Sequence, residues 1–101
     1  MKEINYQKAL EELLRTKNIK FECQLYVPIK INNKVIGKYF IDLVIFEKIA
    51  VELKAGDHFY RRNIEQLHAY LKSHNLHLGL LVNFSSKGVI YKRILNIEKY
   101  S

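Results

Sequence analysis

The chain has 101 residues, with 17 Lys and Arg against 10 Asp and Glu, a formal charge of +7. This length predicts a single domain over residues 1–101, and Leu, Ile, Val and Phe are abundant enough for one modest core. The apolar runs fall far short of the ~20 residues that span a bilayer, Met1-Lys2-Glu3 opens no apolar signal core, and the lone Cys23 excludes a disulfide framework or a cysteine-rich zinc site. These features predict a reducing, cytoplasmic setting without a membrane partner, and the basic excess favours a polyanion such as nucleic acid.

Tyr6, Ala9, Leu10, Leu13, Leu14 and Lys17 recur at i, i+3, i+4, which predicts an amphipathic helix over about 3–17, ended at Asn18. Phe21, Cys23, Leu25 and Val27 then alternate with Lys20, Glu22, Gln24 and Tyr26, a strand with one buried face that places Cys23 in the core. Pro28 ends that strand or marks a sheet edge. Asn32-Asn33 is a turn signal, and residues 39–46 and 49–55 are two further strands. Gly56-Asp57 breaks the pattern before a helix over about 60–74 that buries Ile64, Leu67, His68 and Leu71. Residues 77–84 are apolar enough for a central, two-sided strand, and 89–95 add a last one. The order is αβββαβ with a final β, an α/β arrangement of a mixed sheet flanked by helices.

Asp42, Glu52 and Lys54 interrupt otherwise apolar strands, and an uncompensated charge there costs several kcal/mol. Setting Asp42 opposite Glu52 in an antiparallel hairpin pairs Ile45 with Ile49, Leu43 with Val51 and Ile41 with Leu53, making one face wholly apolar. A slip of one residue would mix the faces. Parity then demands a three-residue connection, Phe46-Glu47-Lys48, or a shorter one corrected by a bulge. Two adjacent carboxylates repel, so either Lys54 neutralises them in a structural ion cluster or a hard divalent cation binds between them.

Asp42, nine intervening residues and Glu52-Leu53-Lys54 resemble the D…ExK signature of the PD-(D/E)xK nuclease superfamily. Glu3 and Tyr6 with Ala9-Leu10, Ile41-Asp42-Leu43-Val44, Gln66-Leu67 with Tyr70-Leu71-Lys72, and Leu78 to Phe84 resemble one branch of it, the GxxExxY proteins. That family's glycine would precede Met1, so the chain is expected to begin inside the motif, lacking the family's N-terminal segment. The resemblance implies a restriction-endonuclease-like αβββαβ core and a metal-dependent hydrolase of DNA phosphodiesters. It also implies Mg²⁺ or Mn²⁺ held by Asp42, Glu52, the Leu53 carbonyl and Glu3, with Lys54 orienting water or stabilising phosphate charge.

Gln66 and Tyr70 lie four apart, on a stripe expected to face away from Ile64, Leu67 and Leu71. The resemblance implies that they contact the metal site or the substrate backbone. Arg61, Arg62 and Lys72 flank that stripe and would hold phosphates, unless they are only solubilising charge. Two other readings remain open: a catalytically weak nuclease-fold module that binds nucleic acid, and an oligomeric interaction protein whose charge cluster is structural. A chain this short is expected to act on DNA as a two-fold dimer.

Overall fold

The computed structural model describes residues 3–97, with side chains from Asn5 onward. Glu3–Thr16 form α1, Phe21–Ile31 β1, Lys34–Ile45 β2, Ile49–Ala55 β3, Arg61–Ser73 α2, Leu78–Ser85 β4 and Gly88–Leu95 β5. The strands make one sheet in sequence order, antiparallel except for β3 and β4, which run parallel. α2 supplies the crossover that a parallel pair requires. α1 covers one face, where Leu14 packs with Leu43, Val51 and Leu53. α2 covers the other, where Leu67, Tyr70 and Leu71 pack with Ile41, Val44, Ala50 and Leu81. The α/β mixed sheet flanked by helices is therefore the observed architecture.

Both helices stop by the same device. Asn18 and Asn75 adopt left-handed φ angles of 57° and 53°. After α1, Asn18 N–H donates to the Arg15 carbonyl and Ile19 N–H to the Leu14 carbonyl; after α2, Asn75 N–H donates to Lys72 and Leu76 N–H to Leu71. Each is a Schellman closure with Asn in the left-handed position, and in each the next residue packs its side chain back onto the core.

The buried stripe of α1 differs from expectation. Gln7 and Leu14 are buried and Tyr6 and Leu10 half-buried, whereas Ala9, Leu13 and Lys17 are exposed. The helix is rotated to bring the Gln7 amide inward, where hydrogen bonds compensate its burial. Cys23 is exposed rather than core. The reason is Gln24, whose φ of 53° reverses the alternation of β1. Phe21 consequently packs on the α1 side and Leu25 and Val27 on the α2 side, and Cys23 stands at the switch in neither cluster. Pro28 lies within β1 rather than ending it, which its place on an edge strand permits.

The β2–β3 connection is the three-residue Phe46-Glu47-Lys48. Phe46 and Glu47 are both left-handed, and Lys48 N–H donates to the Ile45 carbonyl at 2.9 Å. Ile45 pairs with Ile49 and Leu43 with Val51 as the hydrophobic pattern requires. The third expected pair, Ile41 with Leu53, is not made: Ile41 turns into the α2 layer and Leu53 into the α1 layer. The strands separate between these points.

α2 approaches β4 closely at Gly79. A Cβ there would lie 2.9 Å from Leu67 Cγ and 3.2 Å from Leu71 Cδ1. Both leucines are fully buried, so neither can move aside without disturbing the core. Gly79→Ala should therefore destabilise the fold by about 1–3 kcal/mol. Thermal melting should show a fall of roughly 4–8 °C per kcal/mol for a domain of this size.

Candidate active site

The β2–β3 ladder stops at Leu43–Val51, and beyond it two carboxylates replace the missing carbonyl acceptors. Asp42 N–H donates to Glu52 Oε1 at 3.0 Å, and Leu53 N–H donates to Asp42 Oδ2 at 2.7 Å. In an uninterrupted antiparallel pair, strand carbonyls would accept from such groups. Here each carboxylate reaches across the opening and caps the other strand. Glu52 is only 8% exposed. Two residues on, Lys54 places Nζ 3.9 Å from Glu52 Oε2. Strand alternation accounts for the E-x-K spacing, because Leu53 points into the α1 layer while its neighbours do not.

Three further elements enclose this opening. From α1, Gln7 Nε2 donates to the Asp42 carbonyl at 3.4 Å, and Gln24 Nε2 donates to Gln7 Oε1 at 2.9 Å. From β4, Asn83 sits beside Lys54 in the parallel register and is 2% exposed. Its Nδ2 donates to the carbonyls of His58 at 2.6 Å and Gly56 at 3.4 Å, tying down the β3–α2 loop. From α2, the Gln66 carbonyl accepts from Tyr39 Oη at 3.0 Å. Lys54, His58, Tyr60, Arg62, Gln66 and Asn83 line a pocket of about 380 Å³ at the start of this helix.

The structure therefore brings together Asp42, Glu52, Lys54, Gln66 and Arg62. Glu3 begins α1 one turn before Gln7, but its side chain lies outside the described residues. Tyr70 corrects the expected stripe: it is 3% exposed and packs in the α2 core. The buried positions of α2 are Asn63, Leu67, Tyr70 and Leu71, a stripe rotated from the expected one, and the His74 ring stacks on Tyr70 at 4.1 Å. Arg61 bonds Glu65 at 2.9 Å and does not line the pocket. Lys72, ten residues beyond Arg62, is about 15 Å farther along the helix.

Gln7 and Asn83 were missed by the sequence reading. Asn83 gave the same signal as Asp42, a polar residue inside an apolar strand. Gln7 shares a helical stripe with Glu3 and Leu14.

The donor chemistry fits a hard divalent cation, which takes oxygen ligands and often only one or two carboxylates with water. Asp42 and Glu52 are the two carboxylates that meet at this opening; among the described residues no group of three His, Cys, Asp or Glu converges.

A mixed sheet opened at a D…ExK cluster, with one helix on each face, defines a restriction-endonuclease-like core. The chain belongs to the PD-(D/E)XK nuclease superfamily, whose model matches residues 1–94. A solved structure titled "Crystal structure of SSO0001" is similar in fold, with a TM-score of 0.65 and 23% identity. The match covers 89% of this chain and 48% of that one, so this chain spans about half its length. A search of curated proteins finds no match. Nucleases of this superfamily act on nucleic acid and generally depend on a divalent metal. Among the described residues no helix is long and apolar enough to cross a membrane.

Tyr39 offers a reporter of the site. Burial, and after it the neighbouring Glu52 carboxylate and Tyr70, raise its phenol above the ordinary value of 10.0. Tyr70 is raised likewise, chiefly by burial. A phenol whose folded value is raised gives stability that is fully present below pH 10 and lost as pH rises through the folded value. Phenolate absorbance should show at least two late-ionising tyrosines, and Tyr39→Phe should remove one of them. That variant should also lose about 1 kcal/mol at neutral pH, with the hydrogen bond to Gln66.

Proposed function

We propose that the chain is a single metal-dependent nuclease domain that hydrolyses DNA phosphodiesters. The observation that carries this reading is the opened strand pair, which holds two carboxylates and Lys54 beside a pocket lined by Arg62 and Gln66. Glu3 and Tyr6, with the D…ExK and Gln66 segments, support assignment to the GxxExxY branch. Mg²⁺ or Mn²⁺ would be held by Asp42, Glu52, the Leu53 carbonyl and Glu3. Such an ion, when bound, polarises the scissile phosphate and acidifies water.

This chain's residues do the remaining work. The Lys54 ammonium, anchored at Glu52, orients the attacking water or offsets charge building on the phosphate. Gln66 and the Arg62 guanidinium hold the substrate backbone at the mouth of the pocket. The N-terminal turn of α2 contains no acidic residue, so its dipole adds attraction for a phosphate. The basic composition favours a polyanion, the superfamily resemblance points to DNA, and a two-fold pair of chains in the cytoplasm would present two such sites to a duplex.

Two measurements test the reading. Lys54→Ala should reduce metal-dependent cleavage of plasmid and oligonucleotide DNA by about 10²–10³. Mg²⁺ or Mn²⁺ at tenfold over Kd should stabilise the wild type by about 1.4 kcal/mol, and Asp42→Asn should abolish that gain. Equal cleavage by wild type and Lys54→Ala, or equal metal stabilisation of wild type and Asp42→Asn, overturns the assignment. The alternative reading is a catalytically weak module of the same fold that binds nucleic acid through its basic surface. That alternative would show salt-sensitive binding and no cleavage by either protein.

A further inference from the structure

The β1–β2 hairpin is longer than the sheet needs. β2 spans twelve residues, yet its paired contact with β3 covers only Leu43–Ile45. The remainder projects as a two-stranded arm ending in the Asn32-Asn33 turn, where both residues have positive φ. Its two faces differ. Leu25, Val27, Tyr39 and Ile41 turn toward α2 and its core. The intervening positions face away, and there Tyr26 lies directly opposite Phe40, and Pro28 opposite Lys38.

That outer face carries large aromatic surface in water. Tyr26 is 54% and Phe40 42% exposed, and their rings meet edge to face at 5.9 Å. Lys38 Nζ stands 6.0 Å over the Phe40 ring. Residues 25–41 include Lys30, Lys34 and Lys38 and no Asp or Glu. Phe40 precedes Asp42 by two residues on the same strand, a backbone separation of about 7 Å.

We propose that this face is a stacking platform for an unpaired stretch of nucleic acid that flanks the opened site. Bases lie on Tyr26 and Phe40, and Lys30 and Lys38 hold the flanking phosphates. Aromatic rings interleaved with cations are the chemistry that binds single strands with little sequence preference. Charge decides against a second copy of this chain as occupant. Two such faces brought together by symmetry would juxtapose Lys30 and Lys38 from each with no carboxylate on either arm. The inference rests on the nuclease reading for the identity of the polyanion and deepens it by naming the form that the substrate takes beside the site.

The test is fluorescence anisotropy without divalent metal, using a 20-residue oligodeoxythymidylate and a duplex of equal length. The wild type should bind the single strand more tightly than the duplex. Tyr26→Ala with Phe40→Ala should weaken single-strand binding by roughly five- to a hundredfold, with an unchanged salt slope. Lys30→Ala with Lys38→Ala should reduce the log–log salt slope by about 1.4. Tyr26→Trp should keep the affinity, and unchanged melting temperatures establish that the variants fold. Unaltered single-strand affinity in the aromatic variant overturns the platform. So does a wild-type dimer that the aromatic substitutions dissociate. Omitting divalent metal separates this result from the nuclease reading: a wild type that binds the single strand through the two rings but cleaves no DNA when Mg²⁺ is added keeps the platform and overturns the nuclease.

Discussion

The structure turns on the reciprocal capping of Asp42 and Glu52. Burying a backbone N–H without an acceptor is costly, so strands that separate inside a sheet need replacement partners. Here the replacements are the Asp42 and Glu52 carboxylates, with Glu52 accepting from Asp42 N–H at 3.0 Å and Asp42 from Leu53 N–H at 2.7 Å. A hydrogen bond to a charged group contributes about 1.5–3 kcal/mol, enough to hold each carboxylate against the repulsion of the other once Lys54 stands nearby. The same two bonds therefore open the sheet and fix the geometry of the acids. A plain ladder at these positions would close the space that substrate must enter.

What surrounds the opening is held by contacts that are indifferent to chemistry. Gly79 lets α2 settle against β4, and Tyr39 bonds the Gln66 carbonyl from the neighbouring strand. Asn83 holds two carbonyls of the loop that leads from Lys54 to Arg62. Loop, helix start and strand end are thus tied together. Tyr39 Oη and Asn83 Nδ2 are both bonded to main-chain carbonyls, an arrangement that positions the elements around the opening.

Much of this was legible in the chain. Alternation in 39–46 and 49–55 placed the strands, and the parity argument yielded the three-residue turn and two of three cross-strand pairs. The third pair failed for the reason that makes the site: the strands diverge at Asp42, and a hydrophobic pattern carries no term for backbone capped by side chains. Cys23 was misjudged because alternation assumes extended φ, and Gln24 at +53° reverses it. Tyr70 was misjudged because a helix stripe read from Ile, Leu and His ignored Asn63, which is buried at 8% exposure and rotates the face. Gln7 was missed for the same reason. Period analysis counts apolar residues, whereas a functional interior is partly polar.

The charge distribution follows from the site's own deficit. Two carboxylates against one ammonium leave the opening negative, which repels a phosphate. Attraction must then come from around the opening rather than within it. Arg62 is exposed, with its guanidinium 5.5 Å over the Tyr60 ring, at a helix end where a cation opposes the macrodipole by about 0.3–1 kcal/mol. Arg61 has the neighbouring Glu65 as its local counter-charge, whereas Arg62 borders the pocket. The lysines of the hairpin arm lie on the other side, along a segment without acids. Among the described residues, Asp42 is half-buried and Glu52 buried at this one opening, and on the proposed reading the +7 charge of the chain would draw a polyanion to the rim before it meets them.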